Sequence, residues 1–378
     1  MQAYRALGAK VHSVAVADFP GCTAGSKAHQ AYLAATEDLI ADRRHYVGMP
    51  RRRLVTPRFL SALRQWLHGN EAAMLCATTL NAELPAELLG RVDIDLIHCN
   101  HFFCMPVALA LKQKFSCPIV LDTHDMQARQ FSLRNERRWR LPPKASFEDM
   151  LALELAQMRE ADLLVHLNNE EARSWRTLLP AMAHVLIYPA IKPMPTGPGG
   201  SDIIMVASAN YPNYLSASWF LSEVRPLAPD VPIRIIGNID QIFRAQAAAL
   251  FARHAELFSG RIDDLEGAYA NAAAILLPTT SGHGISIKTI EALSSGAPLI
   301  ATKEAFRGIE IDPAALANVT LVADAEGFAM ALRRRAEMPA TSPQERLTSD
   351  TRRLYERLFA FDAYVNALAA QVHPLLPM

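Results

Sequence analysis

Short apolar, β-branched runs alternate along the chain with longer segments of helical period. In the first half the runs fall at residues 11–16, 96–100, 119–123, 163–167 and 185–188, and in the second at 203–207, 233–237, 274–278, 299–302 and 320–322. Parallel strands covered on both faces by crossover helices produce this pattern. Two consecutive sets predict an α/β fold with two doubly wound, Rossmann-like parallel sheets. The stretch 189–200 between them gathers four prolines and three glycines. It predicts a domain boundary, with an N-terminal domain over 1–190 and a C-terminal one over 201–345. Residues 346–378 read as a helical segment with Leu354, Leu358, Phe361 and Tyr364 along one side, expected to pack back on the first domain. A length of 378 residues agrees, since it exceeds what one hydrophobic core usually serves.

Composition narrows the function. Formal net charge is zero, which argues against a nucleic-acid partner. The two parts differ, however: residues 1–200 hold 23 Lys/Arg against 19 Asp/Glu, and the remainder 15 against 19. The first half is therefore the better candidate for an anionic surface. Five cysteines, Cys22, Cys76, Cys99, Cys104 and Cys117, include no C-x-x-C pair, so a reducing compartment without disulfides or zinc is expected. No apolar run approaches the roughly 18–20 residues of a membrane span, and the first ten residues lack the apolar core of a secretory signal. The expected place is the cytoplasm, free or peripheral on the inner face of a membrane. For the latter, residues 43–67 combine seven arginines with an amphipathic stretch, joined by Arg134, Arg137, Arg138 and Arg140. They suit either anionic lipid or plain solvent.

The most informative segment is 274–302. A buried run ends in Ser281-Gly282-His283-Gly284, a helical segment follows, Gly296 closes it and a new apolar run begins. The glycines let backbone approach a ligand, and N–H groups at a helix start favour an anion such as phosphate. Lys288 and Glu291, three residues apart, share one helix face. A cation beside phosphate and a carboxylate beside ribose hydroxyls describe a nucleotide-diphosphate site; an ordinary i,i+3 ion pair describes the spacing equally well.

Gly282, Gly284, Lys288, Glu291, Ala292, Gly296 and Pro298 resemble the signature of retaining family-four glycosyltransferases (glycosyl transferases group 1), which have the GT-B fold of two Rossmann-like domains. Three other stretches resemble the same family. Ser208-Ala209-Asn210-Tyr211-Pro212-Asn213 matches the opening of the donor domain in enzymes of bacterial surface polysaccharide synthesis. The stretch 259–265 with Tyr269 matches the part that holds the nucleotide base, and 121–125 with 154–164 matches the acceptor domain. The resemblance implies that Glu291 binds ribose hydroxyls and Lys288 the diphosphate. Backbone N–H groups of Gly282, His283, Gly284 and Ile285 would face the phosphates, Ser208 would lie on the donor side, and the backbone of Arg261 and Ile262 would read the base. It further implies a nucleotide-diphosphate sugar as substrate, a glycan or lipid-linked acceptor, and no cofactor or metal.

Departures from the family pattern are specific. His283 stands where many relatives carry the first carboxylate of a Glu-x7-Glu pair, and Ala207 replaces a usual glycine. The chain also opens inside what resembles the first helix, so the pattern's first strand and glycine-rich loop are expected to be missing, and with them part of the site. That expectation and His283 favour one alternative, a GT-B binding or scaffold protein without turnover; a GT-B sugar-nucleotide epimerase is a further one.

His124 and Asp125 follow the run 119–123, where open α/β sheets bind ligands. The resemblance puts a histidine or acid of this position near donor sugar and acceptor, which makes both catalytic candidates, along with Lys288; a loop cap is the alternative. His98, Asn100 and His101 end the preceding run and could line the same crevice. Asp93-Ile94-Asp95 is similar to the Asp-x-Asp of metal-dependent transferases, but it reads as the lead-in to a strand.

Overall fold

A computed structural model describes residues 1–17, 21–38, 40–78, 90, 92–137 and 146–376, with backbone alone for 133–137. Arg138 and Arg140, and the side chains of Arg134 and Arg137, lie outside the described residues. The chain divides into two compact units, Met1–Ile187 with Val365–Met378, and Tyr188–Tyr364.

In the first unit, β3 (Ile97–Asn100), β4 (Ile119–Asp122), β5 (Leu163–His166) and β6 (His184–Leu186) form one parallel sheet in chain order. Helix α2 (Met105–Phe115) joins β3 to β4, α3 (Gln127–Arg137) and α4 (Phe147–Met158) join β4 to β5, and α5 (Asn169–Leu178) joins β5 to β6. β1 (His12–Val16) does not enter this sheet. Among the described residues it pairs in parallel with β2 (Arg43–Val47) alone. The strand is half-buried along its whole length, and Val14, Val16 and Val47 pack on the core formed by Ile97, Cys99, Leu121 and Leu164. Helix α1 (Pro57–Leu67) starts at an N-cap, where Thr56 Oγ1 accepts the Phe59 N–H.

The second unit has six parallel strands, β7 (Asp202–Val206), β8 (Ile233–Ile236), β9 (Phe258–Gly260), β10 (Ala272–Leu277), β11 (Leu299–Thr302) and β12 (Val319–Val322). Their order across the sheet is β9-β8-β7-β10-β11-β12. Counted within the unit this is 3-2-1-4-5-6, the doubly wound Rossmann order, whose direction of winding reverses between β7 and β10. All six residues of β10 are buried. Helices relevant to the site are α6 (Tyr211–Trp219), α7 (Leu265–Ala270) and α8 (Ile287–Ser295), followed near the C-terminus by α9 (Asp350–Leu358) and α10 (Phe361–Val372).

Two segments carry detail that composition does not. In the proline- and glycine-rich stretch, Ile191 N–H donates to the Phe359 carbonyl (3.1 Å), Tyr355 Oη to the Ile191 carbonyl (2.6 Å) and Met194 N–H to Ser294 Oγ (2.9 Å). A Cβ on Gly197 would lie 2.4 Å from the Ala270 carbonyl oxygen, so this position admits no side chain. The C-terminal segment starts in the last turn of a helix, Pro343–Leu347, and continues through α9 and α10. Arg346 in that last turn is wholly buried, its guanidinium donating to the carbonyls of Tyr269, Ala270 and Ala272. The helix break at Phe359 then rotates the packing face, burying Tyr355 and Phe359 and leaving Phe361 exposed.

Candidate functional site

Because the strands of the second unit are parallel, the loops after β7, β8, β9, β10 and β11 share one edge of the sheet. The loop after β10, residues 278–286, lies at the reversal between β7 and β10, the place where open α/β sheets bind ligands. It is held on both sides. Thr280 N–H donates to Ser216 Oγ of α6 (3.1 Å), and Thr302 Oγ1 to the Thr279 carbonyl (2.5 Å). Gly282 and Gly284 have φ +145° and +65°, conformations that favour glycine. His283 between them is exposed, and Ser281 Oγ is buried without a hydrogen-bond partner among the described residues.

Helix α8 begins at Ile287, later than the glycine turn alone suggests. Ser286 is its N-cap, and Ser286 Oγ accepts the Thr289 N–H (3.3 Å). The donors left for an anion are therefore those of the turn, not that of Thr289. From Thr289 to Ser295 the helix is buried, and Gly296 ends it in the left-handed conformation. Glu291 is 9% exposed and fully engaged: Lys288 Nζ donates to Oε1 (3.1 Å) and Oε2 (2.8 Å), and Tyr269 Oη donates to Oε2 (3.0 Å). Burial, and then the Glu291 charge, push the Tyr269 phenol well above its ordinary pKa, so it remains a donor. Tyr269 lies on α7, which follows the β9 loop carrying Arg261 and Ile262. Glu291 is thereby tied to the segment expected to read the base.

Ser208 follows the buried Ala207 at the end of β7. Asn213 Nδ2 donates to its carbonyl (3.0 Å) and to its Oγ (3.2 Å), while Asn210 caps α6. Gly237, after β8, approaches Ala207 so closely that a Cβ would lie 2.2 Å from its carbonyl oxygen. Arg261 is exposed and Ile262 half-buried. One neighbour escaped the sequence reading: Arg307, from the loop after β11, whose guanidinium covers the α-carbon of Gly282. No motif marks it, and only strand order brings it to the turn.

The first unit holds a separate crevice of about 420 Å³, lined by Asn100, His101, His124, Asp125, Gln127 and Leu167 at the carboxyl ends of β3, β4 and β5. His101 and His124 both have positive φ, +86° and +50°, a costly conformation for such side chains. Their rings stack 5.7 Å apart, and His124 Nε2 hydrogen-bonds Asn100 Oδ1. Burial, then His124, lower the His101 pKa to about 4. His98 is not in the crevice set: it meets Tyr4 Oη (2.6 Å) and Asp122 (3.1 Å).

Beneath the crevice two buried carboxyls hold the start of α3. Glu154 accepts the N–H groups of Gln127 (2.7 Å) and Ala128 (2.8 Å), and Glu171 accepts those of Met126 (3.0 Å) and of the Asn168 side chain (3.0 Å). Burial raises both pKa values to about 7. Thr123, His166 and His184 form an adjacent buried chain. His184 Nε2 donates to the Leu179 carbonyl (2.8 Å), so His184 Nδ1 accepts from His166 Nε2 (2.8 Å), and His166 Nδ1 faces Thr123 Oγ1 (3.0 Å). Burial, then His184 and Arg176, depress the His166 pKa to about 3.

Asp93 and Asp95 are exposed on the lead-in to β3, with Ile94 against the core. Among the described residues no three His, Cys, Asp or Glu side chains converge as metal ligands, and all five cysteines are unpaired.

Two α/β units, one with a glycine turn at its Rossmann reversal, define the GT-B class of glycosyltransferases. The chain belongs to glycosyltransferase family 4, whose model matches residues 1–193, and residues 200–337 match the family described as glycosyl transferases group 1. Several solved structures share the fold over nearly the whole chain. A sucrose-phosphate synthase from Thermosynechococcus elongatus has 16% identity and a TM-score of 0.56, covering 97% of this chain and 99% of its own. HepE from Anabaena in complex with UDP has 13% identity and a TM-score of 0.60, covering 97% and 100%. A glycosyltransferase from Rickettsia africae has 12% identity and a TM-score of 0.55, covering 97% and 98%. At such identities the likeness is one of fold. A comparison with curated proteins gives no match.

Proposed function

We propose that the second unit binds a nucleotide-diphosphate sugar and that the chain transfers the sugar, with retention, to a glycan or lipid-linked acceptor in polysaccharide or cell-envelope synthesis. The observation that carries this reading is the position of the Gly282–Gly284 turn at the β7/β10 reversal, with Glu291 buried beside it and tied through Tyr269 to the β9 segment. Strands about 4.8 Å apart put β9 roughly 12 Å from the reversal, a span suited to a nucleoside diphosphate with its base at Arg261 and Ile262 and its phosphates at the turn. Glu291 would exchange part of its bonding with Lys288 for the ribose hydroxyls, which frees Lys288 to face the diphosphate. Backbone donors of residues 282–285 and Lys288 then stabilise charge on the departing diphosphate, commonly a large part of such catalysis. In the first unit the His124–Asn100 pair and Asp125 would receive the acceptor hydroxyl. UDP in the HepE structure favours uridine as the first base to test.

Purified protein incubated with UDP-, GDP- and ADP-sugars, with and without glycan or lipid-linked acceptors, tests the reading. Acceptor-dependent release of one nucleoside diphosphate is expected, lowered about tenfold or more in Glu291→Ala, as loss of a charge-assisted contact implies. Nucleotide binding with no release for any donor would instead support the scaffold alternative, and acceptor-independent conversion of the donor sugar the epimerase.

A lipid-linked acceptor would be met at a membrane surface. No helix among the described residues is long and apolar enough to cross one. On α1, however, Leu60 and Leu67 are 53% and 67% exposed, Val55 just before it is 75% exposed, and Arg58 and Arg64 are exposed beside them, a composition suited to an anionic interface. Co-sedimentation with phosphatidylglycerol vesicles is expected, with loss in a Leu60→Ser/Leu67→Ser variant. Equal sedimentation of variant and parent, or of neutral and anionic vesicles, would remove the proposal.

A further inference from the structure

The cation that the sequence offers for a diphosphate, Lys288, spends its charge on Glu291, with bonds to both carboxylate oxygens. A diphosphate brings about two negative charges or more, more than Lys288 alone would match even when the donor draws Glu291 away from it. A second cation lies at the turn itself. β10 and β11 are neighbours, so the short helical turn after β11, Lys303–Phe306, stands beside the glycine loop after β10. Its backbone is fixed: Ala305 and Phe306 are buried, and Thr289 Oγ1, in the first turn of α8, donates to the Ala305 carbonyl (2.8 Å). Arg307 follows directly, steadied by a bond from Nη1 to the Glu304 carbonyl (3.2 Å).

The Arg307 guanidinium lies on the bare α-carbon of Gly282. A Cβ there would be 2.5 Å from Nη2 and 2.7 Å from Cζ. Gly282 thus does more than bend the chain, since a Cβ there would have to push the guanidinium aside. Beside it Ser281 Oγ is buried with no hydrogen-bond partner among the described residues, a hydroxyl that a phosphate oxygen would satisfy. A guanidinium fork suits two phosphate oxygens at once, and it keeps its charge at every relevant pH.

We propose that Arg307 is a donor-binding residue that holds the diphosphate of the nucleotide sugar over the Gly282 turn, with Ser281 Oγ as a second contact. The inference rests on the donor site proposed above. It makes the apposition of Gly282 and Arg307 the device that brings a guanidinium to the turn beside Lys288.

Calorimetric titration of the full chain with UDP, GDP and ADP, and with the matching nucleosides, tests it. For whichever diphosphate the wild type binds best, Arg307→Ala is expected to weaken affinity about tenfold or more while leaving the nucleoside's affinity unchanged. Arg307→Lys should recover only part of the loss, since an ammonium lacks the fork. Wild-type affinity for the diphosphate in Arg307→Ala overturns the proposal. So does an equal loss for nucleoside and diphosphate, which would mark Arg307 as a support of the loop. If wild type binds none of the three diphosphates, the donor site itself is wrong and the role of Arg307 goes with it; binding by wild type that Glu291→Ala weakens and Arg307→Ala does not would remove the Arg307 role alone.

Discussion

At the scale of the residue, Gly282 shows what a motif conveys and what it hides. Two glycines around a histidine after an apolar run were enough to expect a turn near an anion, and the φ values of +145° and +65° agree with that reason. The guanidinium lying on Gly282 could not be expected, because Arg307 is 25 residues further on and reaches the turn only through the pairing of β10 with β11. Lys288 and Glu291 were legible as sharing a helix face. Their near-complete mutual engagement, and the Tyr269 hydroxyl on the same carboxylate, depend on burial that spacing does not encode. Gly282→Ala meets two obstacles, an unfavourable φ and the Arg307 guanidinium. A loss of about 1–3 kcal/mol in the stability of the second unit is expected from chemical denaturation, and an unchanged midpoint would show that the loop relaxes freely.

Among the elements, β1, β3 to β8 and β10 to β12 all coincide with the apolar runs, border strands included. β2 and β9 were not read from periodicity. Arg-Arg-His-Tyr-Val and Phe-Ser-Gly carry too few apolar residues to stand out, and both strands are partly exposed. The turn before α3 shows a further limit. Its His124–Asp125 step was readable as the end of a strand, whereas the two carboxyls that hold Met126, Gln127 and Ala128 come from α4 and α5. Glu154 and Glu171 titrate near 7 against an ordinary 4.5, so between those values the folded state holds two protons more than the unfolded chain. Their contribution to stability is complete below pH 4.5 and is lost as pH rises through about 7. His101 and His166, at about 4 and about 3 against 6.5, act in the opposite sense. Their contribution is complete above pH 6.5 and is lost as pH falls. Between pH 4.5 and 6.5 the two pairs offset each other. Glu154→Gln removes one side, so stability in the variant should rise with pH more steeply than in wild type by about 1.4 kcal/mol per unit. Urea unfolding at pH 5 and 6 measures this, and parallel slopes for variant and parent would contradict it.

For the whole molecule, the repeated rhythm of apolar runs was sufficient for a double Rossmann-like architecture, since nothing but buried parallel strands accounts for two such sets. Composition did not carry the bonding of 189–200 to Phe359, Tyr355 and Ser294 within the second unit, or the close approach its glycines serve. Family membership then follows from the two halves together, the glycosyltransferase family 4 model on the first and the group 1 model on the second. The central claim is that nucleotide-sugar binding occurs at the carboxyl edge of the second unit's sheet. Amide hydrogen exchange of the full chain with and without saturating nucleoside diphosphate tests it most directly. The account predicts slowed exchange in residues 281–288, 259–263 and 303–308, with the amino edge of the same sheet unchanged. Protection absent from the glycine loop, or confined to other segments while the nucleotide is demonstrably bound, would contradict it.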